Sequence, residues 1–270
     1  MFYPRYAALR EPKRVGAMPS HEDTEDGIIT RLREHGFTIQ PFAIDVAGFQ
    51  RYLQQAAYQR FPSYYGGGGA ENFLEKALEH YVAASLLQLR PDDTYIDIAS
   101  AGSPASAIYR EVYGCVAYRQ DLAFPPGIHG ETIGGDAANL PVPDGFASAM
   151  TLHCSFEHFE GDSDARFIRE AGRVLRPGGR LCILPLYLYA HYAVLTNPVY
   201  SRGVGFEPDA VLYCDWRWPE RHGRFYDPAH LLARVRSNLS GMSLTLFTVT
   251  NAHEAYPSSY LRFIAFMEQS

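Results

Sequence analysis

Tyr95-Ile96-Asp97-Ile98-Ala99-Ser100-Ala101-Gly102-Ser103-Pro104 decides the fold. Tyr95, Ile96 and Ile98 are β-branched or aromatic, as a short buried strand requires, and Asp97 stands where that strand ends. Ala99 to Ser103 carry almost no side-chain bulk, so a ligand can come close to the backbone. Ser103 suits an N-cap and Pro104 a first helical turn. The spacing predicts a helix to about Tyr113, with Ile108, Tyr109 and Val112 facing inward and Gly114 as its stop. Strand, turn and helix in this order aim unpaired backbone N–H groups over the strand's carboxyl end.

Size and composition set the frame. A chain of 270 residues with 47% apolar content has room for one large core, or for one domain with an added cap. It contains no apolar run long enough to span a bilayer, and Met-Phe-Tyr-Pro-Arg at its start lacks the layout of a signal peptide. Cys115, Cys154, Cys182 and Cys214 form no Cys-x-x-Cys pair, which favours buried free thiols in a reducing cytoplasm over disulfides or zinc. A net charge of −6 without a Lys/Arg block argues against a nucleic-acid partner.

Upstream of the deciding stretch, residues 1–20 read as an irregular leader. The acidic run His21–Asp26 caps a helix over Gly27–Glu34, and Phe37–Ile44 is strand-like. Asp45 caps a second helix with Phe49, Leu53, Ala56 and Ala57 on one face. Gly66–Gly69 form a hinge, since no strand precedes them and no Gly-Lys-Ser/Thr follows. A third helix over Glu71–Leu89 packs Phe73, Leu74, Ala77, Leu78, Tyr81, Val82 and Leu86.

Downstream, Cys115–Arg119 reads as the second strand, with Asp121 and Leu122 just past its end. Phe124–Gly130 is too short and too proline-broken for a helix. Ala147–Leu152 is the fourth strand and runs into His153-Cys-Ser-Phe-Glu-His-Phe159. A helix over Ser163–Leu175 follows, then a Leu-Arg-Pro-Gly-Gly turn and the strand Arg180–Leu186. Tyr187–Tyr226 is a long connection of the kind that serves as a lid or binding element. Asp227-Pro228 opens a helix to about Ser237, and Leu244–Thr250 and Tyr260–Met267 read as paired strands.

Several of these segments together resemble the class I S-adenosylmethionine-dependent methyltransferases, of the small-molecule, methyltransferase type 11-like kind. They are the loop after Asp97, the segment Ile133-Gly-Gly-Asp136-Ala-Ala-Asn-Leu-Pro-Val-Pro-Asp-Gly145, the Glu157-His158 pair, and Leu175-Arg-Pro-Gly-Gly179 entering a strand. The chain departs from the family at two places. Ala99, Ala101 and Ser103 occupy usual glycine positions, and no helix fits between the second and third strands.

The resemblance implies an α/β, Rossmann-like, seven-stranded and mostly parallel sheet. It would have helices on both faces, a C-terminal antiparallel hairpin and an N-terminal helical cap. The domains are then a cap over 1–88 and a cofactor domain over 89–270 with a lid at 187–226. The cap is equally read as plain packing or as a homodimer surface. S-adenosyl-L-methionine is the implied cofactor, with Asp97, Ala99, Ala101, Gly102, Asp121, Leu122, Asp136, Ala137 and Leu152 as its contacts. Asp121 takes the ribose role, which suits an acceptor-only group that receives two donors, and Asp136 meets the adenine. A surface-turn aspartate is the structural alternative for Asp121.

Methyl transfer is an in-line displacement, so the site must align acceptor, carbon and sulfur. Tyr64, Tyr65, Tyr187, Tyr189, Trp216, Trp218 and His222 are the aromatic and polar candidates for the acceptor, a small molecule or sugar-containing glycan unit. His158 is the candidate base for a hydroxyl acceptor, with Glu157 orienting it and His153 lining the pocket. A structural role for His158 stands beside that reading. Two alternatives remain: a metal-assisted reaction through His153, Glu157, His158 and Asp162, and a catalytically inactive cofactor-binding protein.

Overall fold

A computed structural model describes residues 13–15, 18–19, 24–65 and 73–270. Most of the expected leader, the start of the acidic run at His21–Asp23, the four-glycine stretch and the first residues of the third helix lie outside the described residues. In chain order the strands are β1 (Lys13–Val15), β2 (Ile39–Phe42), β3 (Thr94–Ile98), β4 (Val116–His129), β5 (Thr132–Gly134) and β6 (Ala147–His153). They continue with β7 (Leu175–Leu184), β8 (Ala193–Thr196), β9 (Val211–Cys214), β10 (Gly223–Phe225), β11 (Met242–Val249) and β12 (Phe263–Gln269). The helices are α1 (Glu25–Glu34), α2 (Val46–Ala56), α3 (Pro62–Tyr65), α4 (Phe73–Leu87), α5 (Ala105–Tyr113), α6 (Ser163–Val174), α7 (Pro228–Arg234) and α8 (Ala252–Ala255).

Two compact units emerge, one of residues 1–39, 156–166 and 187–238, the other of 40–155, 167–186 and 239–270. The second, here the sheet unit, is built on eight strands in the order β2-β11-β12-β7-β6-β3-β4-β5. β3 pairs in parallel with β4 and β6, and β6 with β7, while β12 runs antiparallel to both β7 and β11. This is the Rossmann-like sheet with its C-terminal antiparallel pair, and β2 adds an eighth strand beside β11. Central strands buried on both faces read as near-continuous apolar runs, as in Ala147–Leu152, every residue of which is buried.

Local chemistry sets the flanking helices. Asp45 caps α2 by accepting from the Gly48 N–H at 2.9 Å. α5 starts at Ala105 with Pro104, and not Ser103, at the cap position, and Ser103 Oγ accepts from the Ala105 N–H at 3.2 Å. It ends on Gly114 at φ 75°, the left-handed stop that glycine provides. Between β4 and β5 there is indeed no helix. β4 continues through the proline pair, and Ile133 is matched in register by both Gln120 and Ile128. Phe124 and Pro125 cross so close to Gly134 that a Cβ there would lie 2.0 Å from the Pro125 carbonyl oxygen.

The other unit, here the insertion unit, contains a four-stranded sheet in the order β1-β9-β8-β10. Tyr189, Ala193, Leu195 and Tyr213 form its small buried core. The leader thus supplies a strand, and the long connection is folded rather than open. Charge also holds this unit together: Asp164 and Arg224 are fully buried, with Arg224 Nη1 2.9 Å from Asp164 Oδ2. Arg234 grips both oxygens of Asp164 at 2.6 and 2.8 Å, Tyr226 donates its hydroxyl to Asp164 at 2.6 Å, and Glu207 pairs with Arg224.

Candidate active site

The tip of β3 is held by its neighbours. Asp97 sits in register between Arg119 and Thr151 and is 1% exposed. Thr151 donates to it at 3.3 Å and itself hydrogen-bonds the Tyr95 hydroxyl at 2.5 Å. Burial pushes the Asp97 carboxyl up to about 7 against the opposing pull of the Ser103, Thr151 and Tyr95 hydroxyls. Beyond it, Ala99 and Ala101 take φ of 50° and 45°, the left-handed geometry that glycine adopts without a Cβ penalty. Gly102 has nothing within 4 Å of where a Cβ would stand, so the loop is open there.

Gln120, which sequence reasoning missed, ties the strand tips together. Its side-chain oxygen accepts from Ala99 N–H at 3.1 Å, its carbonyl from Ser100 N–H at 2.9 Å, and its amide donates to the Gly135 carbonyl at 2.6 Å. A buried glutamine inside a strand is the signal that was available, since its amide needs partners there.

Asp121 follows directly. One carboxylate oxygen accepts from the Ala101 N–H at 2.8 Å, the other from the Ala123 N–H at 2.9 Å. Leu122 beside it is 77% exposed, an apolar side chain on an open strand tip. Asp121 lies within β4 and not just past its end as the sequence suggests, because the chain turns back and pairs with β5 a second time; it is matched with Gly134, two residues before Asp136. Asp136 accepts from the Ala138 N–H at 2.9 Å, and Ala137 is buried beside it. Leu152 is wholly buried, paired with Ile98 and Ile183. Most of the residues expected at the cofactor thus surround one set of parallel strand ends.

One strand further along, the tip of β6 carries a charged cluster that no sequence motif announced. Lys76 Nζ donates to Glu79 Oε1 at 3.1 Å, to the Tyr260 hydroxyl at 2.9 Å and to Cys154 Sγ. Cys154 lies 3.3 Å from Glu79 Oε1 and 3.7 Å from the Tyr260 hydroxyl. Glu79 is fully buried, and burial pushes its carboxyl up to about 7 although Lys76 pulls the other way. Glu75, one helical turn earlier, accepts from the Tyr260 N–H at 3.3 Å and so fixes the segment that presents that tyrosine.

Aromatic rings border the cluster. His153 meets His80 ring to ring at 4.6 Å, and His80 stacks on Tyr64 at 6.0 Å. Burial holds His80 down to about 3 and His153 well below the usual histidine range, so both imidazoles are neutral. Burial raises the Tyr64 hydroxyl, and the charges of Glu79, Lys76, Asp97 and Cys154 all reach it. Tyr65 ends the short helix α3.

The remaining candidates belong to the insertion unit. His158 Nδ1 bonds the His222 carbonyl at 2.5 Å, and its Nε2 lies 3.5 Å from Glu157 Oε1 with the side chain one-third exposed. His222 is fully buried, its Nδ1 3.0 Å from the Glu157 carbonyl. Tyr189 is buried and donates to the Pro19 carbonyl, Tyr187 packs on Phe225 at 5.2 Å, and Trp218 lies against Gly223. Trp216, 41% exposed, faces solvent. His153 belongs to the sheet unit, whereas Glu157, His158 and Asp162 belong to the insertion unit. Among the described residues no group of three or more His, Cys, Asp or Glu side chains is arranged to hold a metal ion. Nor is any described helix long and apolar enough to cross a membrane.

Comparison with known proteins bears on these strand ends. A family model described as a methyltransferase domain matches residues 67–183. The demethylmenaquinone methyltransferase of Mycolicibacterium vanbaalenii is 29% identical over 194 residues, covering 62% of this chain and 80% of that protein. The corresponding enzyme of Mycobacterium marinum is 30% identical over 143 residues, which are 48% of this chain and 61% of that protein. Among solved structures, the 1,6-didemethyltoxoflavin-N1-methyltransferase of Burkholderia thailandensis was crystallised with 1,6-didemethyltoxoflavin and S-adenosylhomocysteine. It superposes with a TM-score of 0.50 at 13% identity, over 85% of this chain and 94% of that one, a likeness of fold.

Proposed function

Because the chain is a class I S-adenosylmethionine-dependent methyltransferase, we propose that it methylates a small molecule through one of its hydroxyl groups. S-adenosylmethionine supplies an activated methyl on a sulfonium. The residues present suit it: Asp121 offers an acceptor-only carboxylate at the edge of an open loop, and the exposed Leu122 offers an apolar surface for a base. The single observation carrying the reading is that Asp121, where the parallel pairing of β4 with β5 stops, is matched with Gly134 two residues before Asp136, with Ala101 bound to the first of these carboxylates.

The proposed base is His158, on the strength of its own contacts. An Nδ1–H donated to the His222 carbonyl leaves Nε2 as the nitrogen that can accept a proton, with Glu157 Oε1 3.5 Å from it. Calorimetry with S-adenosylmethionine and S-adenosylhomocysteine, followed by a panel of hydroxyl acceptors, tests the reading. Both cofactor forms are expected to bind, and His158→Ala is expected to abolish turnover while keeping that binding. Binding of neither would overturn the assignment of the cleft. Wild-type turnover in the variant would move the base elsewhere.

A second reading has one observation in its favour. Alanines at positive φ in the loop bring a methyl group where glycine would have none, which fits a protein that binds the cofactor without turning it over. Tight binding with no transfer to any acceptor would favour it.

A further inference from the structure

Among the charged groups of the sheet unit, Lys76 stands out because three different partners already surround its ammonium. Behind it is Glu79, fully buried and fixed on the same helix. In front are the Tyr260 hydroxyl at 2.9 Å and Cys154, which lies two residues beyond the Leu152 that pairs with the end of β3. The Lys76 side chain keeps 23% of its surface exposed and Tyr260 keeps 38%, so the front of the cluster is within reach of a small molecule. A sulfur atom is a weak hydrogen-bond acceptor, and an ammonium hydrogen spent on it is better used by an anionic oxygen.

We propose that Lys76 and Tyr260 anchor the methyl acceptor through one ionised oxygen, and that the acceptor is therefore an acidic hydroxyl compound, a phenol or an enol. This rests on the methyltransferase reading given above, names its substrate class and replaces its base: a phenolate held by Lys76 needs no proton removed by His158, so wild-type turnover in His158→Ala would agree with it. The donors define the choice. Lys76 donates to the Tyr260 hydroxyl at 2.9 Å, so the two groups are near enough to meet one oxygen and do not form the planar fork of a guanidinium. Carboxylates and phosphates are recognised best by paired or multiple donors such as guanidinium groups and backbone N–H rows. Glu79 directly behind the lysine also opposes a multiply charged anion. A sugar alcohol, with no ionised oxygen near neutral pH, would gain little from the ammonium. Tyr64 and His153, packed on the fully buried His80 ring at 6.0 and 4.6 Å, supply flat surfaces that suit an unsaturated ring.

The test uses the full chain saturated with S-adenosylhomocysteine and titrated with 4-nitrophenol, whose ionised form has its own absorption band. At a pH where the free probe is mostly neutral, the wild type is expected to bind it as the phenolate. Lys76→Met combined with Glu79→Gln, which removes both charges together, is expected to weaken binding by about tenfold or more and to abolish the phenolate band. Lys76→Arg should keep the band, and Tyr260→Phe should weaken binding by roughly threefold to tenfold. Acetate and inorganic phosphate at equal concentration should not displace the probe. S-adenosylhomocysteine affinity, measured separately, is expected to be equal in all variants and reports on the parent reading alone. Binding of the probe as neutral phenol, no binding by the wild type, an unchanged phenolate band in the double variant, or displacement by acetate or phosphate would each overturn the proposal.

Discussion

Both units bury charge, but they do so differently. In the insertion unit Asp164 accepts from Tyr226 and Arg234 and pairs with Arg224, and both Asp164 and Arg224 have no exposed side-chain surface. In the sheet unit Lys76, Glu79, Cys154 and Tyr260 form a cluster of similar size in which the lysine and the tyrosine reach solvent. A network whose acid and tyrosine are both sealed, with Arg234 alone reaching solvent at 20%, holds elements together. A cluster with an exposed tyrosine can also exchange one of its internal partners for a ligand. Burial of the hydroxyl donor, 1% exposed in Tyr226 against 38% in Tyr260, rather than the presence of charge, separates architecture from a site.

The sharpest way to break this contrast is at Asp164. Its replacement by Ala leaves two arginines without their common acceptor, and loss of one partner of a buried pair costs about 3–5 kcal/mol. Denaturant unfolding is expected to show that loss. A change below about 1 kcal/mol would mean that the network is no more structural than a surface pair.

Next in size is Asp121→Ala, expected to weaken S-adenosylhomocysteine binding by about 1.5–3 kcal/mol, the scale of charge-assisted hydrogen bonds. Calorimetry reads this as a rise in Kd of roughly 10- to 150-fold. Unchanged affinity would place the ribose elsewhere. Asp121 and Asp136 could both be singled out from the sequence by their place after an apolar run, although Asp121 lies inside β4 and not past its end. Lys76 and Glu79 could not. On paper they are the polar positions of an ordinary amphipathic helix, and their partners Cys154 and Tyr260 stand 78 and 184 residues further along from Lys76. One hint was available: α4 is apolar around so much of its circumference that its acids have little solvent-facing side to occupy. The pairing of β1 with β9 was hidden for the same reason, since Lys13 meets Leu212 and no local pattern encodes such a contact.

The open cluster should also declare itself through pH. An acid whose folded pKa lies above its unfolded one binds its proton more tightly when folded. Its contribution to stability is therefore full at low pH and drains away as the pH rises. For Glu79 the window runs from about 4.5 to about 7, and Asp97 adds a similar decline beginning near 3.8. Each group contributes a slope of at most about 1.4 kcal/mol per pH unit. Glu79→Gln is expected to flatten the curve of unfolding free energy across that window without removing the part due to Asp97. A curve as steep as that of the wild type would show that Glu79 titrates normally and that the cluster is already open to water throughout.

The smallest effect concerns the loop itself. Ala101 is held at φ 45° by its N–H bond to Asp121, a geometry costing an L-residue roughly 1–2 kcal/mol. Ala101→Gly removes that cost but gives the unfolded chain about 0.5–1 kcal/mol of extra conformational freedom. The net gain in stability should be near 0.5 kcal/mol, measured by denaturant unfolding. S-adenosylhomocysteine affinity distinguishes what the alanine does: if it only tolerates strain, Kd moves by less than about twofold, a few tenths of a kcal/mol. That is the expected outcome, because the backbone N–H that meets Asp121 is the same in both forms. A several-fold gain in affinity would mean instead that the methyl group stands where the cofactor's amino-acid end belongs, and would favour the protein that binds without transfer.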